Sequence, residues 1–238
     1  MKRRKFLSNS VSFGALAVFG GANLVPNLLF GAENLANSQN SNKGKNMKIL
    51  LLGATGSLGS FVIDELLKNE KTELILYVRN SAKAKKFENE RVKIVVGDAN
   101  DTPNLTAALQ GVNAVYAGLA GDLENLANSV VSAMKKAEVK RIVWITSYGI
   151  YGEAGRDGTP PISYVNSAKI IENSGLDYTL IRPQWFSFAD EINYEVTHRH
   201  EKFKNPDAQI SRKSIAHLVG RCIYENFGIK DSLGINRP

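Results

Sequence analysis

The chain has 238 residues, a net charge of +7 and a single cysteine. Six of its 30 Lys and Arg residues but only one of its 23 Asp and Glu residues precede Met47, which leaves residues 47–238 with a net charge of +2. This small excess, without a basic stripe that carries interleaved aromatic residues, argues against a nucleic-acid partner. An internal disulfide is excluded, and Cys222 lies in an apolar helical pattern typical of a core position.

The first 46 residues have the composition of a targeting segment followed by a tether. Lys2-Arg3-Arg4-Lys5-Phe6-Leu7 is basic with paired arginines, and the mildly apolar stretch 11–22 is shorter than the roughly 20 residues of a membrane-spanning helix. This layout resembles a bacterial twin-arginine (Tat) export signal. It predicts a signal peptide over 1–32, a flexible tether over 33–46 and no stable membrane span. The resemblance implies the Tat export machinery as a partner and a periplasmic location, with a cytoplasmic or signal-anchored protein as the alternatives.

The rest of the chain alternates apolar strand-like runs with helical apolar periods, which is typical of βαβ units. The predicted strands are 47–52, 74–78, 92–96, 114–117, 141–146 and 178–181. Helical periods lie at 61–67, 123–137, 165–173 and 215–223. Right-handed crossovers then predict one α/β domain over 47–238, with a single Rossmann-like, doubly wound parallel sheet. The irregular, aromatic-rich stretch 184–210 is predicted to form a small C-terminal substrate lobe.

A glycine-rich turn joins the first predicted strand to the first helix: Gly53-Ala54-Thr55-Gly56-Ser57-Leu58-Gly59. In a strand–turn–helix context, one glycine permits the tight turn, a second lets a pyrophosphate approach the backbone, and a third lets helix and strand pack closely. Phosphate would lie against unpaired N–H groups at the helix N-terminus. The alternative is an ordinary tight connection. The pattern predicts dinucleotide binding by six turn residues, namely Gly53, Thr55, Gly56, Ser57, Leu58 and Gly59.

The spacing G-x-x-G-x-x-G, with Ala-Thr inside it, resembles that of extended and atypical short-chain dehydrogenase/reductases. From Met47 onward the chain is most similar to their NAD(P)H-binding or NmrA-like group, which includes flavin and biliverdin reductases. The resemblance implies that Gly97-Asp98-Ala99 contacts the adenine edge, although an Asx turn is the alternative for the Asp98 side chain. It also implies that the small residues of Ala117-Gly118-Leu119 underlie the cofactor and that Pro183 passes the nicotinamide.

The residue at the end of the second strand predicts which nucleotide is preferred. A carboxylate about 20 residues beyond the last glycine would bind the ribose hydroxyls of NAD. Here Arg79 occupies that position and Asn80 follows it. A guanidinium pairs with the 2′-phosphate of NADP, whereas a carboxylate would repel it. NADP(H) is therefore predicted in preference to NAD(H).

Candidate catalytic residues follow the fifth strand. The resemblance implies a substrate-facing Ser147 and a tyrosine four residues before Lys169, whose ammonium would lower the tyrosine pKa and hold the ribose. Tyr164 lies five residues before Lys169, which places it about 100° away on a helix. Tyr164 could still reach if it caps the helix start, and Tyr148 or Tyr151 could substitute. Members similar to flavin reductases need no tyrosine, because hydride passes to an electron-poor ring.

Aromatic residues follow the sixth strand. Trp185, Phe186 and Phe188 form either a flat wall for a planar acceptor or core beneath a loop. His198 and His200 lie two residues apart with no clear third ligand, so no metal site is predicted.

Together these residues predict an NADP(H)-dependent oxidoreductase that transfers hydride to a small planar acceptor, which would be a quinone, a flavin or a related carbonyl. The alternative is a non-catalytic NAD(P)-binding sensor, as NmrA-like regulators are. Epimerisation of a nucleotide sugar is disfavoured, because it needs the tyrosine. The oligomeric state is left open.

Overall fold

The computed structural model of the protein describes Asn42, residues 44–153 and residues 160–238. The predicted signal peptide and most of the predicted tether therefore lie outside the described residues. Within those residues, no helix combines the length and the apolar character needed to cross a bilayer.

Ten strands and five α-helices follow one another along the described residues. The strands are β1 Met47–Leu52, β2 Thr72–Val78, β3 Val92–Val96, β4 Ala114–Ala117, β5 Arg141–Ile145, β6 Asp177–Pro183, β7 Phe186–Ser187, β8 Glu195–Thr197, β9 Ile210–Ser211 and β10 Asp231–Asn236. The helices are α1 Gly59–Leu67, α2 Thr102–Ala108, α3 Leu123–Lys136, α4 Ile162–Glu172 and α5 Arg212–Tyr224. A single 3₁₀ turn, Lys85–Phe87, lies between β2 and β3.

Eight of these strands form one twisted sheet in the order β3-β2-β1-β4-β5-β6-β10-β8. Seven strands are parallel, and only the edge strand β8 runs antiparallel, against β10. The order reverses between β1 and β4, the place where doubly wound sheets bind ligands at the carboxyl ends of their strands. This arrangement confirms the predicted fold class.

Both faces of the central sheet are buried, because successive side chains of each strand enter opposite layers. In β1, Ile49 and Leu51 contact the layer of α1 and α5, whereas Leu50 and Leu52 contact the layer of α2, α3 and α4. Burying one such side chain contributes about 1.5–3 kcal/mol. The continuous apolar run of β1 therefore specifies a strand at the centre of the sheet.

The predicted substrate lobe, 184–210, is joined to the domain by three short strands. β7 pairs with β9 in a separate two-stranded sheet, in which Phe186 lies opposite Ile210. β8 joins the main sheet beside β10, where Thr197 lies opposite Gly234. The aromatic segment that follows β6 is thus held at the carboxyl end of the sheet.

Candidate functional site

The glycine turn is packed so tightly that two of its glycines have no room for a side chain. Gly53 has φ +86°, and a Cβ on it would lie 2.0 Å from the carbonyl oxygen of Gly118, at the end of β4. A Cβ on Gly59 would lie 2.2 Å from the carbonyl oxygen of Ala54. Gly56 is exposed, and the nearest atom to a Cβ there is 3.2 Å away. Gly53 and Gly59 therefore shape the turn, while Gly56 leaves its outer surface open to a ligand.

Unused backbone donors lie on this turn. Gly56 and Gly59 donate their N–H groups to the carbonyls of Gly53 and Gly56, at 3.0 and 3.1 Å. Across the described part of the chain, the N–H groups of three further turn residues, Thr55, Ser57 and Leu58, have no acceptor. The N-terminus of α1 also has no side-chain cap, whereas those of α2, α3 and α5 are capped by Asp101, Asp122 and Ser211. These free donors at the positive end of a helix dipole fit a diphosphate.

A cavity of about 300 Å³ opens beside the turn. Its lining combines turn and helix residues with the loop that follows β2, namely Ala54, Thr55, Gly56, Ser60, Ala82, Lys83, Lys86 and Phe87. Two ammonium groups thus share a cavity with the proposed phosphate-binding backbone. Lys83 and Lys86 were not predicted as ligands, because only the tertiary fold brings the β2–β3 loop against the glycine turn.

The predicted NADP-selecting residues, Arg79 and Asn80, directly follow β2. Arg79 is exposed at the end of β2 and does not line the cavity. Asn80 accepts a hydrogen bond at its Oδ1 from the N–H of Ala82, at 2.8 Å. That bond shapes the loop as an Asx turn, so the Asn80 carboxamide oxygen has a structural partner.

The Gly97-Asp98-Ala99 turn follows β3 at the same edge. Asp98 accepts at Oδ1 from the N–H of Asn100, at 2.8 Å, which is the Asx turn that was the alternative for this side chain. The Tyr77 hydroxyl donates to the carbonyl of Asp98, at 3.3 Å, and a Cβ on Gly97 would lie 2.1 Å from that hydroxyl. Burial, with Asp101 and Asp98 nearby, raises the pKa of Tyr77.

The predicted floor of small residues lies where β4 ends. Ala117 is buried, Leu119 packs partly against the α2–α4 layer, and the N–H of Gly118 donates to the carbonyl of Leu52 at 2.9 Å. A Cβ on Gly118 would lie 2.3 Å from the buried hydroxyl of Tyr116. Burial raises the pKa of that hydroxyl, which has no hydrogen-bond partner among the described residues. At Gly118 the backbone therefore lies without a side chain at the end of β4.

Helix α4 rules out a tyrosine–lysine pair in the expected register. Tyr164 does not cap the helix: the cap residue is Pro161, and the N–H of Tyr164 donates to its carbonyl at 2.9 Å. The prediction that Tyr164 could cap the helix start is therefore wrong, because the helix already begins at Ile162. Lys169 is exposed, about 10 Å along the helix from its start, and its side chain leans back toward the carboxyl edge.

Tyr151 is held in an ionic cluster that points away from the ligand edge. Its hydroxyl donates to Oε1 of Glu172, at 2.5 Å, and Arg199 pairs with the same carboxylate at 3.1 Å. Glu172 is the last residue of α4, so it lies toward the amino ends of the strands. The guanidinium carbons of Arg182 and Arg199 lie 5.2 and 4.7 Å from the Tyr151 ring centroid. Burial and the bond to Glu172 raise the pKa of Tyr151.

Ser147 and Tyr148 lie at the carboxyl end of β5, as predicted for residues that face a substrate. The Ser147 hydroxyl donates to the carbonyl of Tyr148 at 3.1 Å, and the N–H of Tyr148 donates to the carbonyl of Pro183 at 3.1 Å. The Tyr148 ring packs on Phe203, with centroids 4.6 Å apart, and its hydroxyl donates to the carbonyl of Glu153 at 3.3 Å. Burial and then Glu153 raise the pKa of Tyr148. This phenol is thus protonated at neutral pH and is a poor base.

The aromatic residues after β6 divide into two kinds. Phe186 is half-buried and packs against the α1–α5 layer. Trp185 and Phe188 are 80% and 95% exposed, so these two side chains do not form core beneath a loop. The guanidinium carbon of Arg212 lies 5.1 Å from the centroid of Phe186 and 4.9 Å from that of Phe188. Sequence reasoning missed Arg212, which is 27 residues from Trp185 along the chain.

The histidines and the cysteine have local partners. His198 Nδ1 lies 2.5 Å from Oδ2 of Asp231, and His217 Nδ1 lies 2.8 Å from the Tyr194 hydroxyl. Burial raises the pKa of Cys222 to about 12, which makes it an inert core thiol. In the part of the chain that the structure describes, no three His, Cys, Asp or Glu side chains are grouped as metal ligands.

A doubly wound sheet with a glycine-rich turn at its switch point is typical of dinucleotide-binding proteins of the Rossmann class. A family model described as NAD(P)H-binding matches residues 53–226, and the chain belongs to that family. This match confirms the NAD(P)H-binding part of the resemblance seen in the sequence.

Two curated relatives are reductases. The chain is 31% identical over 143 residues to quinone oxidoreductase 2 of Escherichia coli K12 and 31% identical over 142 residues to the NAD(P)H azoreductase of Xenophilus azovorans. Each match covers 58% of this chain and 49% or 48% of the relative, so the chain spans about half the length of these proteins. Among solved structures, a Rossmann-fold NAD(P)-binding family protein from Shigella flexneri is 38% identical, with a TM-score of 0.72. That match covers 81% of this chain and 94% of the other.

Proposed function

We propose that the protein is an NADPH-dependent reductase of a small planar acceptor, which would be a quinone, a flavin or a related carbonyl. The observation that carries this proposal is the geometry of α4, which runs unbroken through Tyr164 and leaves Lys169 without a tyrosine in register. Acceptors that need no protein acid fit such a site, because an electron-poor ring takes hydride directly and solvent supplies the proton. One of the two relatives is named a quinone oxidoreductase and the other an NAD(P)H azoreductase, and these names support a reductase of this kind.

The residues present fit a pyridine dinucleotide. The free N–H groups of Thr55, Ser57 and Leu58 would bind the diphosphate, and the surface at Gly118 would let the cofactor lie on the backbone. Lys83 and Lys86, which line the cavity, would bind the 2′-phosphate that distinguishes NADP(H), together with Arg79 at the end of β2. Lys169 would orient the ribose from α4.

When bound, NADPH supplies a hydride, so that NADPH, a proton and a quinone give NADP⁺ and the hydroquinone. Ser147 and Tyr148 lie where the carboxyl end of β5 meets the end of β6, and Tyr148 keeps its proton at neutral pH. Their hydroxyls would orient an acceptor oxygen by hydrogen bonding. Trp185 and Phe186 would form the apolar wall against its ring.

The test is NADPH oxidation by the purified protein, followed at steady state over a panel of naphthoquinones, flavins and aldehydes. We expect turnover with quinones or flavins and little with aldehydes, because an aldehyde needs a tyrosine that a neighbouring lysine activates as proton donor, and Lys169 has no tyrosine in register. Tight nucleotide binding without turnover of any acceptor would contradict the reductase. That outcome would favour a non-catalytic NAD(P)-binding sensor, which the unpaired Lys169 also suits.

A further inference from the structure

Arg212 is a guanidinium with unused hydrogen-bond donors beside exposed aromatic rings. It is the first residue of α5, and its Nη1 donates to the carbonyl of Ser187 at 2.9 Å. Among the described residues this is the only hydrogen bond that its side chain makes, although a guanidinium carries five N–H donors. The rings of Phe186 and Phe188 both contact the group. Arg212 is thus fixed in place, and most of its N–H donors have no acceptor among the described residues.

The positive charge of Arg212 has no counter-ion. In the ranges that the structure describes, no carboxylate lies within 4.0 Å of it. The two acidic residues that follow Phe188 most closely in sequence have other partners, because Asp190 pairs with Lys213 and Glu191 lies 3.6 Å from Arg237. An anion that reached Arg212 would therefore meet an uncompensated cation able to form a bidentate, charge-assisted contact.

Flat apolar surface adjoins this cation. Trp185 and Phe188 are almost entirely exposed, and Phe188 is one of the two rings that contact the Arg212 guanidinium. Exposed aromatic side chains of this size stack readily on planar ligands. A ligand that carries both a planar ring and an anionic group would thus find both of its parts matched on one surface, where the segment after β6 meets the start of α5.

This surface lies at the same edge of the sheet as the glycine turn. Helices α1 and α5 pack side by side, and a Cβ on Gly220 would lie 3.2 Å from Cγ of Glu65. At about 1.5 Å per residue, Glu65 is about 9 Å from the start of α1 and Gly220 about 12 Å from the start of α5. The two helices therefore begin at nearly the same level, which places Arg212 near the level of Gly59.

We propose that Trp185, Phe188 and Arg212 form an acceptor subsite that selects planar aromatic acceptors bearing a carboxylate or sulfonate over neutral ones of the same ring system. The proposal rests on the proposed reductase function and adds the charge of the substrate to it. The rings stack on the acceptor, and Arg212 binds its anionic group.

Intrinsic tryptophan fluorescence tests the subsite without turnover. The chain has two tryptophans, of which Trp144 is fully buried and Trp185 is exposed in the subsite. The purified full chain is titrated with anthraquinone sulfonate and, separately, with neutral hydroxymethyl anthraquinone. We expect the sulfonate to bind about tenfold more tightly, and Arg212→Gln to reduce that preference to less than about twofold. Lys213→Gln, which removes the same charge one residue away, is the matched control and should keep the preference.

Each other outcome overturns the proposal. If the wild-type protein shows no preference, or if Arg212→Gln keeps it, the guanidinium serves only to pack the phenylalanine rings. If Arg212→Gln instead weakens NADPH binding, the cation serves the cofactor phosphates. Should Arg212→Gln fold poorly, Arg212→Lys retains the charge and should retain most of the preference; equal binding of both ligands by that variant contradicts the proposal. Failure of the reductase assay leaves these binding measurements unaffected, so the two proposals fail separately.

Discussion

Gly53 and Gly118 illustrate how single residues build the site, because the absence of a side chain on Gly53 leaves room for the backbone of Gly118. Their backbones approach so closely that a methyl group on Gly53 would enter the Gly118 carbonyl. The left-handed φ of Gly53 adds a second requirement for glycine. The turn thus presents the bare backbone of Gly56 on the outside and a tight strand contact on the inside, as close approach of a phosphate chain requires.

Lys83 and Lys86 test nucleotide preference at the scale of single residues. Because a charge-assisted contact with phosphate contributes about 1.5–3 kcal/mol, we expect Lys83→Gln or Lys86→Gln to raise the NADPH dissociation constant roughly tenfold. Binding of NADH, which lacks the 2′-phosphate, should change by less than about twofold. Calorimetric titration measures both constants.

Lys85→Gln supplies the matched control, since Lys85 belongs to the same 3₁₀ turn but does not line the cavity. An equal loss for all three variants would point to general charge attraction instead of a phosphate contact. Arg79→Ala shows in the same assay whether the guanidinium at the end of β2 contributes, as the sequence predicts.

At the scale of elements, the sequence predicts the first six strands of the sheet and misses its C-terminal strands, β8 and β10. β1, β3 and β4 begin and end as predicted, and the nearly continuous burial of β1 and β4 explains why these two read as apolar runs. β10 was not predicted, since it carries polar residues and a glycine. Its Ser232 accepts from Nε of Arg182 at 3.1 Å, and a Cβ on Gly234 would lie 2.4 Å from Oγ1 of Thr197. These partners lie far away in sequence, so no local pattern reports them.

Helix α4 gives the prediction that belongs to this scale. Because Tyr164 is half-buried in a continuous helix and out of register with Lys169, we expect Tyr164→Phe to change kcat/KM by less than about twofold. Tyr148→Phe removes the hydroxyl at the ligand edge and should lower kcat/KM by about tenfold, the effect of one lost hydrogen bond to a reacting group. Steady-state NADPH oxidation compares the two variants. A large loss for Tyr164→Phe alone would contradict this account of the helix.

At the scale of the whole molecule, the sequence predicted the parts of the site that are continuous in the chain. The glycine turn, the small residues after β4 and the edge position of Ser147 all follow from local patterns at strand ends. Lys83, Lys86 and Arg212 escaped prediction, because their roles depend on loops and helices that only the folded sheet brings to the turn. Arg182 shows the same dependence: it is fully buried, with Glu153 and Ser232 from separate segments as partners.

The central claim is that a pyridine nucleotide binds at the glycine turn. Calorimetric titration of the purified protein with NADPH measures this binding. We expect wild-type protein to take up one NADPH. Gly56→Asp should abolish uptake while the thermal midpoint stays close to wild type, because a carboxylate on the exposed face of the turn repels the diphosphate. Absence of heat with wild-type protein, or equal uptake by Gly56→Asp, would contradict the central claim.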